Sequence, residues 1–209
     1  FNTAITNYET GVVNLENVGF SSNALDIYNL GTLNLKGENT FINGIGGKDS
    51  LGVMSIINGK TISNSEINQQ NVSINDIASL TVNADHLKSV TTNNGELNLG
   101  KGTLAYEVTG AGKTYISAGT EENKNKFSLA DNVTMEQNSF SVLKNANAEN
   151  VKGGKIISKN IKIAESGALS TKVGEHLQGN IDNHGTLTLY GSGDKSVTEL
   201  FNNVLVDSY

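Results

Sequence analysis

A seven-residue phrase, Asn-x-Gly-x-Leu-x-Leu, occurs three times in this chain and constrains its fold more than any other feature. The copies occupy residues 29–35, 93–99 and 183–189. Asn and Gly tolerate the left-handed backbone of a tight turn, so the first half of the phrase predicts a corner. The alternating Leu residues that follow predict a short strand with one buried face. A corner and a strand that recur together along a chain indicate a solenoid.

Looser copies of the phrase lie between the close ones and reveal a period. Residues 9–15 keep the glycine and both apolar positions, and residues 76–82 carry Asp for Asn and Ala for Gly. Equivalent corner residues are spaced by 17 to 20 positions in the pairs Gly11 and Gly31, Ala78 and Gly95, Gly95 and Gly112, and Gly167 and Gly185. A period of roughly 17–23 residues fits three short strands and three turns, which make one rung of a parallel β-helix.

The sequence therefore predicts an all-β fold, a right-handed parallel β-helix (a solenoid) of roughly ten rungs with a few protruding loops. We expect residues 1–209 to form a single β-helix segment, because no Pro/Ser run or block of charge interrupts the pattern. The chain begins at Phe1 without an initiator Met, so we expect it to be excised from a longer polypeptide.

The composition favours an ordered solenoid over a disordered chain. Hydrophobic residues make up only 36% of the sequence, but they fall on alternate positions, and the core of a β-helix is a thin column. Pro is absent, as expected where most backbone N–H groups donate to a neighbouring rung. The 30 asparagines suggest hydrogen-bonded side-chain ladders at equivalent turns.

Charge and residue usage exclude several classes of protein. The net charge of −6, the pI near 5.1 and the absence of Arg argue against nucleic-acid binding. No run of 18 apolar residues exists, so no membrane-spanning segment is predicted. The lack of Cys excludes disulfides, thiolate metal sites and Cys nucleophiles.

Three polar or glycine-rich segments are predicted to protrude from the β-helix and to carry any binding specificity. They are residues 44–52, 119–126 and 144–154, and a short helical turn is conceivable over 143–150. At the ends, residues 1–3 show no convincing cap, and the apolar stretch 200–206 fits either a contact with a following domain or one more strand.

The glycine-rich segment 44–51 resembles a calcium-binding nonapeptide, Gly-Gly-x-Gly-x-Asp-x-Leu. Ile45 stands where the second glycine belongs, and the motif occurs once instead of in tandem. Because each ion in a calcium roll bridges two copies, a surface loop is the preferred interpretation over a calcium site.

Catalytic residues are not predicted. His86, His176 and His184 each follow or occupy a polar turn, and we interpret all three as surface residues. The aspartates are dispersed at Asp26, Asp49, Asp76, Asp85, Asp131, Asp182, Asp194 and Asp207. Polysaccharide lyases and hydrolases need clustered carboxylates or a basic residue beside them, and neither arrangement is evident. We therefore predict no catalytic, cofactor-binding or metal-binding residue, and no enzyme.

The phrase, the bias towards Asn, Gly, Thr and Ser, and the lack of Cys and Pro together resemble the passenger domain of an autotransporter of Gram-negative type V secretion. The resemblance covers essentially the whole chain and rests on repeat style. It implies a secreted or outer-membrane-attached β-helix, made with a signal peptide and a C-terminal translocator barrel. The implied role is a virulence-associated adhesin or stalk whose partners are a host-cell surface protein or glycan, matrix, or other bacteria by self-association.

Three alternatives remain open at the level of sequence, and one of them is a purely structural spacer that binds no partner. A carbohydrate-active β-helix enzyme, a lyase or a hydrolase, would share the fold, and so would the β-helix of a phage tail fibre. An ice-binding solenoid would show a regular Thr-x-Thr ladder, and only residues 186–188 fit that pattern.

Overall fold

The computed structural model describes residues 4–19, 26–47, 51–172, 174–191 and 204–208, the last of these for the backbone only. The described residues form 22 strands and two short 3₁₀ turns, at Ala84–His86 and Gly174–His176. The strands are β1 (Ala4–Asn7), β2 (Val12–Glu16), β3 (Asp26–Asn29), β4 (Thr32–Lys36), β5 (Asn39–Phe41), β6 (Val53–Ile56), β7 (Gly59–Ser63), β8 (Ile67–Ile74), β9 (Ala78–Asn83), β10 (Leu87–Asn93), β11 (Glu96–Gly100), β12 (Gly102–Leu104), β13 (Val108–Thr109), β14 (Lys113–Ile116), β15 (Asn125–Leu129), β16 (Thr134–Val142), β17 (Ala146–Asn150), β18 (Lys155–Ile163), β19 (Ala168–Lys172), β20 (Leu177–Asn183), β21 (Thr186–Tyr190) and β22 (Val204–Ser208).

These strands wind into a right-handed parallel β-helix of about nine turns, which confirms the predicted fold class and approximate rung number. Every pairing between named strands is parallel and joins one turn to the next. Right-handed winding is the usual sense for parallel strands joined in this way. Within the described part of the chain, no helix is long and apolar enough to cross a membrane.

Each turn has three sides, which we name faces 1, 2 and 3. Face 1 holds β2, β4, β6 and β13, with the second halves of β8 and β10 and the first halves of β16, β18 and β20. Face 2 holds β5, β7, β9, β11, β14 and β22, with the second halves of β16, β18 and β20. Face 3 holds β1, β3, β12, β15, β17, β19 and β21, with the first halves of β8 and β10.

The core is a column of inward-facing side chains, in which residues at equivalent positions of successive turns pack on one another. On face 2, Leu97 pairs in register with Leu80 of the preceding turn, and Phe140 pairs with Ile161 of the following one. All four side chains are buried. Burying a Leu, Ile or Phe side chain contributes roughly 1.5–3 kcal/mol relative to exposure, so the column supplies much of the stability expected for this fold.

The three copies of the repeated phrase lie at three different corners of the β-helix. The first copy turns the chain from β3 on face 3 into β4 on face 1. The second turns it from face 1 into β11 on face 2, and the third from face 2 into β21 on face 3. The spacing of 17 to 20 residues measures one turn, as predicted, but the close copies are not equivalent positions around the axis.

The repeated phrase requires glycine because the backbones of two successive turns approach each other closely there, and not because the backbone is left-handed. Positive φ angles occur at other glycines but not at Gly31, Gly95 or Gly185, so the predicted left-handed corner is wrong at these sites. A Cβ on Gly95 would instead collide with the carbonyl oxygens of Ala78 and Asn75 in the turn before it. Gly31 and Gly185 meet the equivalent two carbonyls at their own corners. Only glycine, which has no Cβ, leaves room for two successive turns to pack together at these three corners.

Buried amide side chains link turns along the axis, as the excess of asparagine predicts. Asn7 Nδ2 donates to Asn29 Oδ1 at 2.7 Å, and Asn29 Nδ2 donates to Gln69 Oε1 at 2.5 Å. The second link skips a turn, because Ile45 pairs with both Ile27 and Ile67. In the turn that is skipped, a Cβ on Gly46 would collide with Gln69 Nε2, and a Cβ on Gly52 would collide with Asn29 Nδ2. The longer Gln side chain reaches across this glycine-containing turn.

The same arrangement recurs at another corner. Asn93 Nδ2 donates to Gln137 Oε1 at 2.6 Å, and Gly110 lies between them in register. Asn93 is fully buried and Gln137 is 3% exposed. An Asn–Gly–Gln succession over three turns therefore joins turns that do not touch through their backbones.

A Gln137→Ala variant should lose about 1–3 kcal/mol of unfolding free energy, because the buried Asn93 amide loses one of its two acceptors and keeps only the Lys113 carbonyl. Denaturant unfolding followed by circular dichroism measures the change in midpoint. The matched control is Asn34→Ala, since Asn34 Nδ2 bonds Asn14 Oδ1 at 2.9 Å on the exposed side of face 1. We expect the control to stay within about 0.5 kcal/mol of the parent protein. Equal effects of the two variants would contradict the role given to the buried link.

Two sequence predictions about loops are wrong. Ile45 is fully buried in the face 3 ladder between Ile27 and Ile67, so it belongs to the core and not to a surface loop. Residues 146–150 form strand β17, with Ala146 and Ala148 buried, where a protruding segment with a short helical turn was predicted. In the first segment, a Cβ on Gly46 or Gly52 would collide with the backbone of a neighbouring turn, and in β17 the small Ala148 pairs in register with the larger Phe127.

At the C-terminal end, the apolar stretch is a strand as far as it is described. β22 pairs in parallel with β20 on face 2, which matches the alternative of one more strand. Residues 1–3 and 200–203, where a cap was sought and the apolar stretch begins, lie outside the described residues.

Candidate binding surfaces

The predicted protruding segment at 119–126 is a loop in its first six residues. Residues 117–124 connect β14 to β15, and Asn125 and Lys126 already belong to β15. The loop borders an open groove of about 570 Å³, which we name the loop groove. Polar residues dominate its lining, which includes Asn83, Lys101, Ser117, Thr120, Lys124 and Asn125.

Hydrogen bonds tie this loop to the β-helix. The Asn125 Nδ2 atom donates to the Ser117 carbonyl at 2.7 Å, and Gly119 N donates to the Lys144 carbonyl at 3.1 Å. At the tip, Asn123 N donates to Thr120 Oγ1 at 2.9 Å. The loop is therefore a structured projection whose backbone is tied to the β-helix and closed at its tip.

A second groove lies on the outer side of face 2, across β16, β18 and β20, and has a volume of about 260 Å³. We name it the strand groove. Its polar lining comes from two registered rows, one of Ser139, Asn160 and Asn180 and one of Ser141, Lys162 and Asp182. Because strands and not loops carry these side chains, adjacent members of each row are held one turn apart, about 4.8 Å.

The charges of the strand groove compensate one another. Lys162 Nζ lies 3.6 Å from Asp182 Oδ2, and His184 Nε2 lies 2.7 Å from Asp182 Oδ1. Lys113, which precedes Ser139 in its row, lies 4.0 Å from Glu96. The surface is thus rich in hydrogen-bonding groups, and each of these two lysines lies beside a carboxylate.

Among the residues that the structure describes, the remaining histidines and carboxylates do not form a metal-binding cluster. His184 is exposed, as predicted, whereas His86 and His176 are half-buried, and His176 Nδ1 lies 3.0 Å from the Gly154 carbonyl. Within the described ranges, no three His, Cys, Asp or Glu side chains are grouped so that they could hold a metal ion. Asp49 and Asp194 lie outside the described residues, and Asp49 belongs to the predicted calcium-like segment.

The fold places this chain in the class of β-solenoid proteins. Comparison with known proteins adds no closer relationship, since no family model, no curated protein and no solved structure matches the chain.

The strand groove was not predicted, although the sequence contains a signal for it. Ser139, Asn160 and Asn180 are spaced by 21 and 20 residues, as are Ser141, Lys162 and Asp182. These intervals equal one turn each, so aligning the turns would have shown two polar rows on one face. The predictions instead looked for specificity in loops alone.

Proposed function

We propose that this chain is part of an extracellular or cell-surface β-helical passenger of a Gram-negative bacterium. In this proposal it acts as a virulence-associated adhesin or stalk in binding to host cells, matrix or other bacteria. The observation that supports it most is the continuous stack of about nine parallel turns, because such a rod presents long side surfaces to partners.

The way the turns contact one another also supports export to the cell surface. Named strands pair only with strands of adjacent turns, so each turn can add to the one before it. The sequence contains no Cys, and no disulfide has to form or pass through a narrow pore. Turn-by-turn folding on the outer side of a membrane suits a chain that crosses unfolded.

We assign partner binding first to the loop groove, because its loop projects from the rod and carries exposed polar and charged side chains of both signs. Lys124 lies next to the groove, and Glu121 and Glu122 are exposed at the loop. A protein or glycan on another cell would meet these groups before it met the strands behind them.

Replacing Thr120–Asn123 with two glycines should abolish binding of the purified chain to host cells or matrix and leave the β-helix folded. The measurement is binding to cultured cells and matrix-coated wells, with circular dichroism and thermal unfolding recorded on the same samples. A control with Thr92→Ala and Glu136→Ala changes polar side chains on the outer side of face 1 and should bind as the parent does. Unchanged binding by the loop variant would remove the loop from the proposal.

Other outcomes would contradict the proposed function itself. The proposal assigns no catalysis to the chain, so release of new reducing ends or unsaturated uronates from acidic polysaccharides would contradict it. An obligate trimer in solution would favour a tail-fibre β-helix instead. A chain that binds no cell, no matrix and no copy of itself would leave only a passive spacer.

A further inference from the structure

We propose that the strand groove binds a linear, electrically neutral glycan that lies along the β-helix axis. The inference rests on the proposed function as a surface-exposed binding protein and names a ligand class and a second site for it. It does not depend on the loop groove, which lies at the corner between faces 2 and 3.

The uncharged row of the strand groove, formed by Ser139, Asn160 and Asn180, carries polar side chains that are free to bind a ligand. Ser139, Asn160 and Asn180 make no side-chain hydrogen bond to any described residue, and both asparagines are exposed. Hydroxyl and primary amide groups on a firm backbone are suited to sugar hydroxyls, because each can donate and accept. Their availability indicates a ligand rich in hydroxyl groups.

Ser141 lines the strand groove although it is only 7% exposed. Its hydroxyl makes no hydrogen bond to any described residue. It is not among the fully buried side-chain oxygens that lack a partner, so it stays open to the groove, where it can donate to or accept from a molecule that enters. A ligand hydroxyl that enters the groove would form this hydrogen bond.

The charges around the strand groove favour a neutral glycan over an anionic one. Lys162 is compensated by Asp182, and Lys113 by Glu96, so no uncompensated lysine faces the groove from these rows. The chain as a whole carries −6 at neutral pH and repels polyanions. Sulfated or uronic-acid chains therefore do not fit this surface.

An aromatic side chain lies beside the strand groove. Tyr115 pairs with Ser141, which places a half-buried ring one turn before the groove in the row that continues through Lys162 to Asp182. An aromatic ring offers an apolar surface to the C–H face of a sugar ring while its hydroxyl stays available. The row repeats about every 4.8 Å, close to the length of one pyranose unit in an extended chain.

The test is a screen of the purified chain against short linear neutral oligosaccharides, followed by titration calorimetry, with heparin as the anionic comparison. Asn160→Ala should weaken binding of the neutral oligosaccharide roughly three- to tenfold, because one or two hydrogen bonds are lost. Asn160→Trp should weaken it by more than about tenfold, because the ring occupies the groove while the exposed position tolerates it. The matched control, Asn98→Ala, lies on the same outer row as Tyr115 but outside the groove, and should bind as the parent does.

Each result decides between the two proposals. Neutral binding that is lost in Asn160→Trp and kept in Asn98→Ala supports the groove. If the parent chain binds cells or matrix but no neutral oligosaccharide, or if Asn160→Trp binds the oligosaccharide as the parent does, the groove inference fails and the proposed function stands. Binding of heparin alone overturns the neutral-glycan assignment. A chain that binds no oligosaccharide, no cell, no matrix and no copy of itself overturns both.

Discussion

A Phe140→Ala variant should lose about 3–5 kcal/mol of unfolding free energy, the largest effect expected from a single truncation in this chain. Phe140 is fully buried and is among the largest buried side chains of the described core. It pairs with Thr114 on one side and Ile161 on the other, so its removal opens a cavity between two turns. Turns on either side cannot close the gap, because their ladder hydrogen bonds hold them apart.

Denaturant unfolding of the purified chain measures this loss. Phe140→Leu keeps most of the volume and should cost less than about 1.5 kcal/mol, and Tyr106→Ala, at a 40% exposed position, should cost little. If Phe140→Ala and Tyr106→Ala shifted the midpoint equally, Phe140 would not lie in a packed core.

A Gly95→Ala variant should lose about 2–3 kcal/mol, although it adds a single methyl group. The new Cβ would collide with the carbonyl oxygens of Ala78 and Asn75, and a backbone oxygen cannot move aside as a flexible side chain can. Asn75 O also accepts a hydrogen bond from Ala78 N at 3.0 Å, so displacing it disturbs the turn below.

Gly19→Ala is the control for this effect. No atom of the described residues lies within 4 Å of a Cβ added at Gly19, and the φ angle of Gly19 is not positive. The replacement should be neutral or slightly stabilising, because Ala restricts the unfolded chain more than Gly does. A Gly95→Ala variant as stable as Gly19→Ala would show that close stacking at this corner is not what requires glycine.

The fold class could be predicted because its signal is local and repeated. Alternating apolar residues such as Leu97 and Leu99 define strands, and the interval from Gly95 to Gly112 measures one turn. Neither inference needs knowledge of which side of the rod a strand occupies. The role of Gly31, Gly95 and Gly185 was not predicted correctly. The phrase was interpreted as a backbone conformation, whereas the structure shows a close contact between turns at these glycines.

The core position of Ile45 illustrates a second limit. It is a single ladder residue between two glycine-rich stretches, so it shows no alternation from which a strand could be inferred. Its burial follows from the pairing with Ile27 and Ile67, which are 18 and 22 residues away in sequence. Turn lengths differ along the chain, and a shift by one residue moves a side chain to the opposite side of a strand.

The strand groove was not predictable from any short motif for the same reason. Ser141, Lys162 and Asp182 come from three turns, and nothing in their local sequence distinguishes them from other exposed polar residues. Only the register brings them into one row. The amide link from Asn93 to Gln137 depends in the same way on Gly110 lying between them.

The register of the parallel strands is therefore tested most directly by the distance between two residues that it places several turns apart. Lys60 and Asn160 are both exposed on the outer side of face 2, and the chain of pairs through Ser79, Glu96, Lys113 and Ser139 separates them by five turns. Since the chain has no Cys, a Lys60→Cys, Asn160→Cys variant can carry two spin labels and no others.

Pulsed electron paramagnetic resonance measures the separation of the two labels. Five turns at about 4.8 Å predict roughly 24 Å between the two backbones, with a single narrow distribution broadened only by the label linkers. A narrow distribution near this value would support the register on which both grooves depend. A broad distribution, or a distance that differs by more than about one turn after allowance for the linkers, would contradict the stacking of these turns and the sites built on it.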